Sequence, residues 1–122
     1  MRYPDWPERL NKYILECQGK EYELGKFDCA IFVCGAVEAM TGEDKLFPKY
    51  STAEEAKEFM DQKPMTEWLA TQFEPCHPAV ARRGDIGVYE NACGIVIGKH
   101  TILIGDPWSM VKTLDLEAAF RA

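Results

Sequence analysis

Two adjacent residues of this chain have the types and the placing for covalent chemistry, Asp28 and Cys29. A cysteine attacks as its thiolate, and an ordinary thiol is mostly protonated at neutral pH. The start of a helix offsets this, because its unpaired N–H groups and partial positive charge favour the anion. Asp28 suits the N-cap of a helix, so Cys29 falls in the first turn, where a nucleophilic thiol belongs. Cys29 also opens an apolar series with Phe32, Val33, Ala36, Val37 and Met40 at helical spacing. The competing reading is therefore a packed core thiol, the ordinary fate of a free cysteine.

A hydrolytic thiol needs a general base, and the chain has two histidines, His77 and His100. His77 lies in Pro75-Cys76-His77-Pro78, a proline-bounded loop that could fold back over Cys29. His100 follows a Gly98-Lys99 turn and reads as an exposed turn residue. The cysteines, Cys17, Cys29, Cys34, Cys76 and Cys93, are five in number and form no CxxC pair. That is neither a disulfide framework nor a zinc pattern. Cys29 and Cys34 stand about 140° apart around a helix, so they do not share a metal. Neither a metal nor a cofactor is expected.

The elements that must position Cys29 follow from pattern. Asp5 and Pro7 start a first helix whose stripe is Leu10, Tyr13, Ile14 and Cys17, ended by Gly19. The second helix runs from the Asp28 cap to about Met40, with Thr41-Gly42 as its stop. After a polar, proline-containing stretch from Glu43 to Tyr50, Ser51 and Glu54 form a capping box for a third helix, Thr52 to about Asp61. A fourth spans roughly Met65 to Phe73 with Trp68 and Leu69 inward. Strands follow at Asp85–Tyr89, Cys93–Ile97, Thr101–Ile104 and Met110–Thr113, with a hairpin at Gly98-Lys99. A short helical end, Leu116 to Phe120, closes the chain. Helices first and an antiparallel meander last give an α+β fold with the helices on one side of the sheet.

Length and charge narrow the function. The chain has 122 residues, one domain by size, and a net charge of −6. That balance argues against nucleic acid as a partner, since phosphate binding needs clustered Lys and Arg. No apolar stretch approaches the roughly 20 residues of a membrane span. The N-terminus lacks the apolar run of a signal peptide, so synthesis in a cytoplasm is expected. Trp6, Trp68 and Trp108 are too scattered for a sugar-stacking groove and read as packing residues.

The order Phe27-Asp28-Cys29-Ala30, then Arg83-Gly84-Asp85-Ile86, then Gly94-Ile95-Val96-Ile97-Gly98 resembles the NlpC/p60 family of cell-wall cysteine peptidases. Gly25 through Cys29, Tyr50-Ser51-Thr52 and Ala119-Phe120 extend the likeness to a small stand-alone branch found in phages and prophages. The resemblance covers nearly all of residues 1–122. It implies a papain-like fold, Cys29 as nucleophile, and a histidine base two residues before the Gly-Ile of the second strand. That position is Ala92 here, followed by Cys93. It also places Asp106 near the family's third, orienting residue. Asp28, Ala92 and Asp106 thus surround the candidate site, and His77 is the substitute base.

Cys93 falls on the strand face opposite Ala92, with Ile95 and Ile97, which argues against a bridge to Cys29. A base position filled by Ala92 points to a degenerate hydrolase, a pseudoenzyme. The expectation is a virion-associated structural or adaptor component of a phage tail tip or baseplate, its partners other phage tail proteins. The alternative is an active peptidase or amidase acting on the peptide part of peptidoglycan, its base His77 or a residue of a partner chain. A third reading, a bacterial cytosolic protein with a redox-sensitive thiol, rests on the helix-start cysteine alone.

Overall fold

The computed structural model describes residues 1–44, 50–105 and 107–122. Residues 45–49 of the expected polar stretch, and the candidate site residue Asp106, lie outside the described residues. Four helices come first: α1 (Trp6–Cys17), α2 (Cys29–Thr41), α3 (Ala53–Gln62) and α4 (Met65–Ala70). Six strands follow: β1 (Glu74–Cys76), β2 (Ile86–Tyr89), β3 (Ala92–Val96), β4 (His100–Leu103), β5 (Ser109–Lys112) and β6 (Ala118–Arg121). They form one antiparallel sheet in the order β1-β6-β2-β3-β4-β5. The fold is α+β.

Local chemistry accounts for most helix ends. Asp28 caps α2 by accepting the Ile31 N–H, and Gly42 ends it in a left-handed conformation with φ 76°. The expected capping box of α3 falls one residue later than Ser51 and Glu54. Thr52 accepts the Glu55 N–H, and Glu55 takes the Thr52 hydroxyl and the Ser51 N–H in return. Asp5 stands at the start of α1 but makes no side-chain cap; its carboxylate binds Arg9 one turn on. Pro7 is in the first turn of α1 as expected.

α2 is the centre of the core. Cys29, Phe32, Val33, Ala36, Val37 and Met40 are buried, and so are Ala30 and Cys34, so the apolar face expected on one side extends around most of the helix. α1 packs on one side through Leu10, Ile14 and Cys17. Tyr13 reaches over and donates to the Phe32 carbonyl at 2.8 Å. A side chain at Gly35 would collide with the Tyr13 ring, so the close approach of these two helices requires glycine there.

The other side of α2 faces the sheet. Ile86, Val88, Cys93, Ile95, Ile102 and Phe120 join the helical residues in one cluster. Their registers agree: Ile86 pairs with both Ile95 and Phe120, and Val88 with Cys93. The opposite sheet face buries Val96, Thr101, Leu103, Thr113, Leu116 and Ala119. A 3-10 turn, Thr113–Asp115, leads Leu116 across that face onto Gly87.

Two expected elements are corrected. Pro75 and Cys76 were expected in a loop but belong to β1, a strand at the sheet edge, where the N–H that proline lacks has no partner to lose. Residues 118–120 were expected to be helical but form β6, inserted between β1 and β2. Ala119 and Ala118 are good helix formers, yet Phe120 pairs with Ile86 and packs in the α2 core only if the segment is extended. The central strands match expectation: Ile97 N–H bonds the His100 carbonyl across the Gly98-Lys99 turn. Glu90 and Asn91, both with positive φ, make the tight turn from β2 to β3.

The most deeply shared side chain of the core is Phe32. It is fully buried, with ring centroids 5.8 Å from Tyr13, 6.2 Å from Phe27 and 5.6 Å from Trp108. Phe32→Ala should cost about 3–5 kcal/mol of stability. Urea denaturation followed by tryptophan fluorescence would measure it; a loss under 1 kcal/mol would mean that the α1–α2 seam is not the core.

Candidate active site

Asp28 is the residue around which the site is built. It is fully buried and extended, at φ −121° and ψ −178°. One carboxylate oxygen accepts the Ile31 N–H at 3.0 Å, and the other the Gly25 N–H at 2.9 Å. The Tyr50 hydroxyl donates to both, at 2.8 and 2.7 Å. Burial first, and the Asp28 carboxylate second, push the Tyr50 phenol far above the ordinary tyrosine range. The turn that feeds α2 is closed by two bonds between Glu23 and Phe27. Gly25 within it has φ 90° and lies against the Thr52 backbone, so a side chain there would meet main chain. Asp28 therefore joins the turn, the α2 start and the approach to α3.

Cys29 is the first residue of α2 and is 7% exposed. Its thiol is pushed below the ordinary range. The largest cause is a hydrogen bond from the Cys93 side chain, which outweighs burial; the backbone N–H groups of Cys93 and Ala30 help, and the Asp28 charge opposes. Cys93, with no exposure at all, is pushed well above the ordinary range by the same hydrogen bond and by burial.

The expectation that Cys93 joins a core and forms no bridge to Cys29 holds. Cys93 does join Ile95 in a core, but that core is the one α2 packs into, and α2 begins with Cys29. Both thiols are free. The neighbouring position, Ala92, is half-buried and offers only a methyl group, alternating to the other face of β3.

No imidazole reaches the pair. His77 is exposed and caps a 3-10 turn, Pro78–Val80, its Nδ1 accepting the Ala79 N–H at 3.0 Å. It directly follows β1, and β6 and β2 lie between β1 and β3. Three strand spacings of about 4.8 Å give roughly 14 Å between those strands. His100 is exposed at the start of β4, as expected. The Gly84-Asp85 pair also has a structural role: Asp85 accepts the Arg82 and Ala122 N–H groups and pairs with Arg2 at 3.3 Å.

Two tyrosines were missed as site residues. Tyr50 holds Asp28, as above. Tyr22, 41% exposed, is pushed up by burial and by the charges of Cys29, Asp28 and Cys93. Tyr22 also lines a cleft of about 470 Å³ with Lys20, Pro107 and Trp108. The only sequence signal for either was proximity to the Asp-Cys motif in one case and to the α3 cap in the other. The tryptophans are half-buried packing residues: Trp108 lies on Phe32, Trp68 on Phe59 at 4.2 Å, and Trp6 under Arg2. Among the described residues, no three His, Cys, Asp or Glu side chains are grouped to hold a metal ion.

The profile of a family described as "Domain of unknown function (DUF6950)" matches residues 1–122. No curated protein matches the chain. No helix among the described residues is long and apolar enough to cross a membrane.

The hydrogen bond from Cys93 sets the expected chemistry of Cys29. Iodoacetamide should alkylate Cys29 with a pH midpoint below that of Cys76, whose half-buried thiol is pushed up by burial and by the Asp85 charge. Removing a donor destabilises the anion, so Cys93→Ala should move the Cys29 midpoint upward. Site-by-site mass spectrometry across pH 5–10 reads both; an unmoved midpoint would rule out the thiol–thiolate contact.

Proposed function

The chain belongs to the DUF6950 family, and from its site we propose a phage- or prophage-derived protein of papain-like, NlpC/p60-type fold whose hydrolase site has decayed. Its role is structural, as a tail-tip or baseplate adaptor whose partners are other phage tail proteins. The observation that carries this reading is the absence of an imidazole beside Cys29. Cys29 keeps the nucleophile's position at the start of a buried helix laid on an antiparallel sheet, but both histidines stand elsewhere.

The chemistry follows from that absence. Acyl transfer at an amide needs a group that takes the thiol's proton and returns it to the leaving amine. Cys93 cannot do this, because it holds its own proton more tightly than an ordinary thiol. Loss of a positioned acid–base group is worth about 10²–10⁴-fold in rate. An adaptor role finds support in the surface. The 3-10 turns Pro78–Val80 and Thr113–Asp115 border a cleft of about 580 Å³, lined by Pro78, Ala79, Lys99, His100 and Leu114. Leu114 is 74% exposed and Val80 51%, and such exposed apolar surface commonly marks a contact site. Gly98, at this cleft, is five residues along the chain from Cys93, roughly 16 Å of strand.

The alternative, a working peptidoglycan peptidase or amidase, draws on the lowered thiol of Cys29. It would take its base from a partner chain. Incubation of the purified chain with peptidoglycan sacculi separates the two. The adaptor reading expects no release of peptide fragments above buffer and the chain at fixed stoichiometry in gradient-purified phage particles. Release by the unaltered chain that is lost in Cys29→Ala, with no chain in particles, would overturn it.

A further inference from the structure

The cleft between the two 3-10 turns is more than exposed apolar surface. Pro78, Ala79 and Leu114 line it from the turns, and Lys99, His100 and Lys112 from the β3–β4 hairpin and the end of β5. Among the described residues, no acidic side chain lines it. We propose that this cleft binds a segment of a partner protein in which an aliphatic side chain is flanked by Asp or Glu. The proposal rests on the adaptor reading above and gives the partner its chemistry.

Charge selects the occupant. The chain has 20 Asp and Glu against 14 Lys and Arg, so acids for a surface cation to pair with are plentiful. Lys99 and Lys112 are exposed all the same, and among the described residues neither makes an ion pair or a side-chain hydrogen bond. His100 stands opposite Lys112 in the β4–β5 register, and the Lys99 carbonyl accepts the Thr113 N–H. The three basic residues thus fall on two adjacent rungs of one ladder. That puts two ammonium groups and an imidazole within reach of one bound segment. Carboxylates on that segment give the ammonium groups the partners that this acidic chain withholds.

Apolar contact supplies the anchor, since the exposed side chain of Leu114 gains most from being covered. Both walls are closed upon themselves. Thr113 is buried; its N–H bonds the Lys99 carbonyl at 2.8 Å, and its hydroxyl donates to the Gly98 carbonyl at 2.8 Å and lies 3.2 Å from that of Thr101. On the other wall the His77 ring accepts the Ala79 N–H, and the His77 carbonyl the Val80 N–H, both at 3.0 Å. A segment therefore meets a formed cleft, and little is lost in ordering it.

The full chain, labelled with heavy nitrogen for NMR, would be titrated with decapeptides that carry one Leu among Glu residues, with their Lys-for-Glu counterparts, and with dodecanoate. The glutamate peptides should shift the amide signals of Ala79, Gly98, Lys99, Lys112 and Leu114. Raising salt from about 0.05 to about 0.5 M should weaken their binding. The double variant Lys99→Glu/Lys112→Glu should weaken it about tenfold and turn the preference to the lysine peptides. Leu114→Ser should weaken it without changing its salt dependence. All three positions are exposed, and unchanged amide signals elsewhere establish that each variant is folded. The proposal is overturned if glutamate and lysine peptides bind alike, if neither moves these amides, or if dodecanoate alone does. It is equally overturned if the same signals shift with protein concentration alone, which would seat a second copy in the cleft. Phage particles separate it from the adaptor reading. If the double variant enters particles as the unaltered chain does, the cleft is not the docking place and the adaptor reading stands. If the glutamate peptides bind as expected and no particle holds the chain, the adaptor reading falls and the cleft remains a peptide site.

Discussion

The buried carboxylate of Asp28 is the constraint on which the rest of the molecule rests. A carboxylate removed from water is costly unless its oxygens are hydrogen-bonded. Here the donors come from three separate stretches of chain, through Gly25, Ile31 and Tyr50. Satisfying one side chain thus fixes the entry turn, the first turn of α2 and the segment leading to α3. Cys29 inherits its position from this arrangement. The arrangement also acts against its thiolate, because the Asp28 charge raises the cost of a second anion. Hydrogen bonds from Cys93 and from the amides of Cys93 and Ala30 more than offset that charge.

A second buried carboxylate, Asp85, organises the other end of the sheet. It accepts from the Arg82 and Ala122 backbone and pairs with Arg2, whose Nε donates to the Ala122 carbonyl. Burial lowers the Arg2 guanidinium from its ordinary range, and Asp85 acts in the opposite direction. One acidic side chain therefore sets the helix that bears the thiol. The other fastens the segments on either side of the strands against which that helix lies. Between them the two sheet faces divide the work: aliphatic side chains meet α2, and Gly87 lets Leu116 close down on the reverse side.

How much of this was legible in the sequence depended on whether the signal was local. α2 was readable because Asp28, the apolar series and Gly42 are all contiguous with it. β2 to β4 were readable from branched residues bounded by turns. β1 and β6 were not, because Pro75 and Ala118-Ala119 speak locally against strands, and only their pairing with each other and with β2 makes them extended. The thiol pair failed to emerge for a related reason. Alternation told which residues share a face of β3, and helical spacing told which share a face of α2. Neither tells which two faces meet, and the site consists of that meeting. Tyr50 closes the polar stretch before α3 in the sequence, but its bond to Asp28 spans 22 residues and has no local signature.

The place of β6 has a consequence for how the molecule is made. Its neighbours, β1 and β2, both precede it in the chain, so until residues 118–121 emerge during synthesis the sheet has a vacant lane between two unsatisfied edges. Every other pairing of the sheet can form earlier. The nascent domain therefore waits with a slot shaped for one short strand.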